Sequence, residues 1–79
     1  MKDQTITFLL NTDKDTKKTI TAVYDALMAK GYDAINQIAG YILSGDPTYI
    51  TTHANARKMI QKVDRYELLK ALIKSYLVN

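Results

Sequence analysis

The seventeen residues from Gly31 to Pro47 constrain this chain more than any other segment, because they carry two helix stops and the start signal that follows each. Gly31 is available for the left-handed residue that ends a helix, and Lys30 puts a cation in the turn before it. Asp33 then supplies an N-cap, its carboxylate accepting from the free backbone N–H groups of a new first turn. That second helix runs to about Ser44, with Ile35, Ile38, Ala39, Ile42 and Leu43 as its apolar face and Gly45 as its stop. Ala39 and Gly40 are small enough to let another backbone come close. Asp46 repeats the cap chemistry and Pro47 fits a first helical position, so a single turn at Pro47 to Ile50 is expected.

The flanking segments are read from periodicity. Thr5-Ile6-Thr7-Phe8-Leu9-Leu10 reads as a short strand over 5–10, after a flexible tail at 1–4, with Ile6, Phe8 and Leu10 on one face. A lone strand is unstable in water. It needs a partner, either residues 48–52 or the same strand of a second protomer. Asn11 to Asp15 reads as a turn, and Asp15 or Thr16 can cap a helix over 16–30. Ile20, Val23, Tyr24, Leu27 and Met28 fall on one face of that helix. A third helix over 54–63 turns Ala56, Met59, Ile60 and Val63 inward. Asp64 and Glu67 have the spacing of a capping box. They open a last helix over 65–77 with Leu68, Leu69, Leu72, Ile73, Tyr76 and Leu77 on one stripe. The expected fold is mostly α, a single domain over 1–79 built as a compact bundle of about four helices plus a short N-terminal β-strand.

Composition narrows the function. With 79 residues and no cysteine, the chain has a small core and neither a disulfide nor a thiolate metal site. A small domain without cross-links often gains stability by oligomerising, so a homodimer is expected. His53 is the only histidine, which excludes multi-histidine metal clusters. There is no signal-peptide pattern, and the longest charge-free run, Ala34 to Gly45, falls short of the roughly 18 apolar residues a membrane helix needs. A cytoplasmic protein without membrane contact is the expectation. No Gly-rich phosphate loop, nucleophile pair or metalloprotease helix is present; Asp13 and Asp15 sit beside Lys14, Lys17 and Lys18 in capping positions. Neither a catalytic residue nor a cofactor is expected.

The net charge of +3 lies in the C-terminal part, where Arg57, Lys58, Lys62, Arg65, Lys70 and Lys74 face only Asp64 and Glu67. A helical domain with that bias could bind nucleic acid in the manner of a helix-turn-helix protein. The cations are spread rather than clustered, however, and a solvated face is the simpler reading. Asn36 and Gln37 stand inside an apolar helix. A first-turn cap explains Asn36 most simply, and a hydrogen-bond clamp onto the Ser44-Gly45-Asp46 turn or onto a partner protomer is the alternative. Tyr32, Tyr41 and Tyr49 bracket the segment as core edge or dimer contact. Thr5 and Thr7 are ordinary strand residues, yet chain termini are the places most open to modifying enzymes.

Taken together, Ile35-Asn36-Gln37-Ile38, Gly40-Tyr41 and Ser44-Gly45-Asp46-Pro47 resemble the family of small Gram-positive regulatory phosphoproteins typified by IreB. The likeness extends to Thr5-Ile6-x-Phe8, Val23-Tyr24-x-x-Leu27, Tyr49-Ile50, Asn55-Ala56-Arg57 and Asp64 to Leu69, and so covers nearly the whole chain. The resemblance implies a small dimeric cytoplasmic protein that is the substrate of a membrane-spanning Ser/Thr kinase with PASTA domains. A partner phosphatase opposes that kinase, and the output is negative control of cephalosporin resistance. It also implies Thr5 as the phosphorylated residue, adjoining the Ile-x-Phe segment. A second threonine of the family would fall near Lys2, where this chain has none. Thr7 replaces a basic residue and is a possible new site, and Ala34 replaces a proline. Gly40, Tyr41, Ser44, Gly45, Asp46 and Pro47, with Asn36 and Gln37, are the candidate structural or partner-contact residues. The downstream partner is an unknown protein.

Overall fold

A computed structural model describes the backbone of residues 2–78 and the side chains of residues 14–78. Four helices carry the fold: α1 Lys2–Ala29, α2 Ala34–Ser44, α3 Ala56–Gln61 and α4 Arg65–Val78. Short 3₁₀ turns at Pro47–Tyr49 and His53–Asn55 connect α2 to α3.

The N-terminal expectations are corrected. Backbone described as helix from Lys2 onward replaces the strand at 5–10, the turn at 11–15 and the tail expected before them. The physical reason is pairing. A helix satisfies its own N–H and C=O groups, whereas a strand must borrow them from a neighbour. Residues 48–52, the one partner available within the chain, form a 3₁₀ turn and its exit instead. The spacing of Ile6, Leu9 and Leu10 is as compatible with a helical face as with a strand. Thr16 is not a cap either; it is buried inside α1.

Thr16, Ile20, Val23 and Leu27 recur at alternating four- and three-residue steps and turn the inner stripe of α1 to the core. Tyr24 and Met28, expected on that stripe, lie at its edge and stay exposed. In α2 the inward set is Ala34, Ile38 and Tyr41, so Ile35 and Leu43 point out. Ala56 and Ile60 of α3, Leu68 of α4, and Ile50 from the connection complete the core, all four fully buried. The third helix starts two residues later than its periodicity suggests, because Ala54 and Asn55 take left-handed backbone conformations, with φ of 53° and 61°.

Among the described residues, the first half of α4 packs most closely on the rest of the molecule. Leu68 is buried and Leu72 packs against the core edge, whereas Leu69, Ile73, Tyr76 and Leu77 remain exposed. The expected stripe exists, but among the described residues nothing buries it.

Candidate functional site

The segment that dominates the sequence folds into α2 and its two flanking turns. Asp33 is in extended conformation ahead of α2, and its carboxylate accepts from the Asn36 backbone N–H at 3.3 Å. The Asn36 side-chain amide donates to the other Asp33 oxygen at 2.7 Å. Asn36 is therefore bound up in the cap.

Gln37 is the clamp, but it reaches a different turn from the one its sequence position suggests. Its amide donates to the Tyr49 carbonyl at 3.0 Å, tying α2 to the 3₁₀ turn. Gly40, one helical turn further on, lets the Tyr49 ring lie directly on the helix backbone; a Cβ there would come within 2.7 Å of Tyr49 Cδ1. Tyr41, about 100° further round α2 from Gly40, is buried at 5 % exposure and belongs to the core.

The far end of α2 is closed by three hydrogen bonds. Gly45, at φ 75°, donates its N–H to the Tyr41 carbonyl at 2.8 Å. Ser44 Oγ donates to the Gly40 carbonyl at 2.7 Å and accepts from the Asp46 N–H at 3.0 Å. Asp46 then caps the 3₁₀ turn that Pro47 opens, accepting from the Thr48 N–H at 2.9 Å and the Thr48 hydroxyl at 2.7 Å. Those two donors hold the Asp46 carboxyl below its ordinary value of 3.8.

Two arginines that read as basic surface in the sequence are structural instead. Arg65, at the start of α4, donates to the Ile42 carbonyl at 2.7 Å and lays its guanidinium over Gly45, where a Cβ would lie 2.8 Å from Cζ. Arg57 donates from Nε to the Ile50 carbonyl at 2.8 Å. Lys70 pairs with Glu67 at 3.0 Å and sits 4.7 Å from the Tyr66 ring centre. Three of the cations on which nucleic-acid binding would draw thus have partners within the chain. No local pattern marks Arg57 or Arg65 for these roles, because the accepting carbonyls are set by tertiary packing. The Asp64 half of the capping box forms, with the Glu67 N–H at 3.1 Å from Asp64 Oδ2, while the Glu67 carboxylate turns to Lys70.

The candidate residues from Asn36 to Pro47 thus form a lock that joins α2, the 3₁₀ turn and α4, and their polar groups are directed at the chain itself. The surface open to a partner lies elsewhere, on Ile35, Leu43 and the outer stripe of α4. Thr5 and Thr7 lie on the first turns of α1, and their side chains fall outside the described residues. Among the described residues, no group of three His, Asp or Glu side chains is placed to hold a metal ion, and no helix is long and apolar enough to cross a membrane.

The family model described as IreB regulatory phosphoprotein matches residues 3–78. That span includes the whole α2 lock, the outer stripe of α4 and both N-terminal threonines. With nearly the full chain matched, this protein belongs to the IreB regulatory phosphoprotein family.

Proposed function

We propose that this protein is a non-enzymatic cytoplasmic regulator, phosphorylated on Thr5 by a PASTA-domain Ser/Thr kinase and reset by the kinase's partner phosphatase. Its output is a contact with another protein in cell-envelope stress control, of the kind that sets cephalosporin resistance. The observation that supports this reading most is a family match that takes in Thr5 together with the folded domain. The position of Thr5 adds a physical consequence. It lies in the first turn of α1, where a phosphate is favoured by the helix dipole by about 0.3–1 kcal/mol. Phosphorylation on Thr5 would firm the start of the helix. Thr7, further along α1, is the second candidate.

Incubation with ATP and the PASTA-type kinase domain of the same organism tests the reading, followed by intact-mass analysis and peptide mapping. One phosphate on Thr5, absent from Thr5→Ala, is the expected result. No phosphate on the wild-type chain would remove the kinase input.

A homodimer belongs to the same proposal. The exposed apolar stripe Leu69, Ile73, Tyr76 and Leu77 on α4 supports it, since a surface of that kind is normally covered in a stable assembly. Sedimentation velocity should show a dimer at micromolar concentration, and Ile73→Asp should convert it to monomer. A monomeric wild-type protein would end this part of the reading.

A further inference from the structure

The helix α4 has a second uncovered side. Successive helical residues turn by about 100°, so Ala71 and Val78 face away from Ile73 and Tyr76. Against α1 this side forms an open cleft of about 400 Å³. Ile20, Ala71 and Leu72 give it an apolar floor, Val78 an exposed apolar rim, and Lys17 and Lys74 stand among its lining residues. Among the described residues, no carboxylate lines it. Lys17 and Thr21 are shared with an adjoining hollow of about 450 Å³ that adds Lys14 and Lys18, with Asp25 as its acidic member. The basic edge therefore continues along α1.

We propose that this cleft receives an acidic amphipathic helix from a partner protein. Apolar side chains at i, i+3 and i+7 would fill the floor, and flanking carboxylates would face Lys17 and the lysines beside it. The stretch from Ala71 to Val78 spans about two turns, or ~10 Å, which matches such an anchor set. The charge pattern decides between occupants. A second copy docked cleft to cleft would set the same lysine-edged lining on both sides of the contact, with no carboxylate among its described residues to offset the like charge. A nucleic-acid backbone would satisfy the lysines and leave the apolar floor unused. The proposal gives the regulatory reading its partner chemistry, but it depends on neither phosphorylation nor the dimer.

Two labelled synthetic peptides test it on the full, unphosphorylated chain. Both carry the same leucine face; one is flanked by glutamates and the other by lysines. In fluorescence anisotropy the glutamate peptide should bind at least about tenfold tighter, lose most of that advantage in high salt, and weaken about tenfold on Lys17→Glu. Lys17→Gln, which removes only the charge, should give an intermediate loss, and amide shifts should fall on Ile20, Thr21 and Ala71. Equal binding of the two peptides, no binding of either, or shifts confined to Leu69 and Ile73 would overturn the proposal. A change of oligomeric state on Lys17→Glu would instead make the cleft a contact between copies, and would overturn it as well. The kinase assay on Thr5 stands apart, so failure of either reading is recognisable by itself.

Discussion

Replacing Ile50 with alanine is expected to lower the unfolding free energy by about 3–4 kcal/mol, within the range for truncating a buried isoleucine. Ile50 is fully buried although it lies on a connection and on no helix. Helix propensity therefore plays no part in the change. Collapse around the resulting cavity is limited, because the flanking backbone is held at two points: Gln37 grips the Tyr49 carbonyl and Arg57 grips the Ile50 carbonyl. For a chain of this length the total stability is roughly 4–12 kcal/mol, so the loss is a large part of it. Thermal unfolding should move down by about 18–24 °C, with Ile50→Val costing only about 1 kcal/mol. If Ile50→Ala shifts the melt no further than Ile50→Val, the connection is not part of the core.

Gly40→Val should destabilise by about 2–3 kcal/mol, because the added side chain must displace the Tyr49 ring. The informative comparison uses alanine. In the wild-type background Gly40→Ala forces the same displacement and offsets it only in part through better helix propensity, which is worth about 1 kcal/mol. In a Tyr49→Ala background the ring is gone and Gly40→Ala should become stabilising. A double-mutant cycle should therefore return a coupling of about 1–3 kcal/mol between the two positions. Additive effects would falsify the close approach of the ring to the helix. The cycle also separates packing from backbone effects, since φ at Gly40 is helical and only Gly31 and Gly45 are the glycines in left-handed conformation.

The signals that can be read from the sequence here are those that a residue exchanges with its near neighbours. Asp33 with Asn36, Gly45 with Tyr41, Asp46 with Thr48 and Asp64 with Glu67 all lie within four residues of each other. Such bonds depend on local backbone geometry, so sequence spacing is enough to expect them. The N-terminal segment failed for the opposite reason. Ile6, Phe8 and Leu10 match a strand period while Ile6, Leu9 and Leu10 match a helical one, and the choice depends on whether a pairing partner exists. None lies within the described chain, and the backbone there is helical.

The candidate site divides along the same line. Asn36, Ser44, Asp46 and Pro47 serve their own turns, which their residue types already suggest. Gln37, Gly40, Gly45 and Tyr41 depend on what packs against α2. The Tyr49 ring over Gly40, the Arg65 guanidinium over Gly45 and the burial of Tyr41 in place of Leu43 all follow from how far α2 is rotated about its axis. Apolar residues occur on more than half of that helix's circumference, so periodicity leaves the rotation open by a residue or so.

By itself, then, the sequence determined a mostly helical fold, the caps at Asp33, Gly45, Asp46 and Asp64, and the family, because each rests on residue types at short spacings; the start of α1 it did not. The tertiary structure alone decided which apolar residues are core and which are surface. It left the outer stripe of α4 bare, turned Arg57 and Arg65 from surface cations into backbone clamps, and opened a lysine-edged cleft between α1 and α4. The physical reason is that burial and long-range hydrogen bonding depend on helix rotation and on distant partners, which no local pattern encodes.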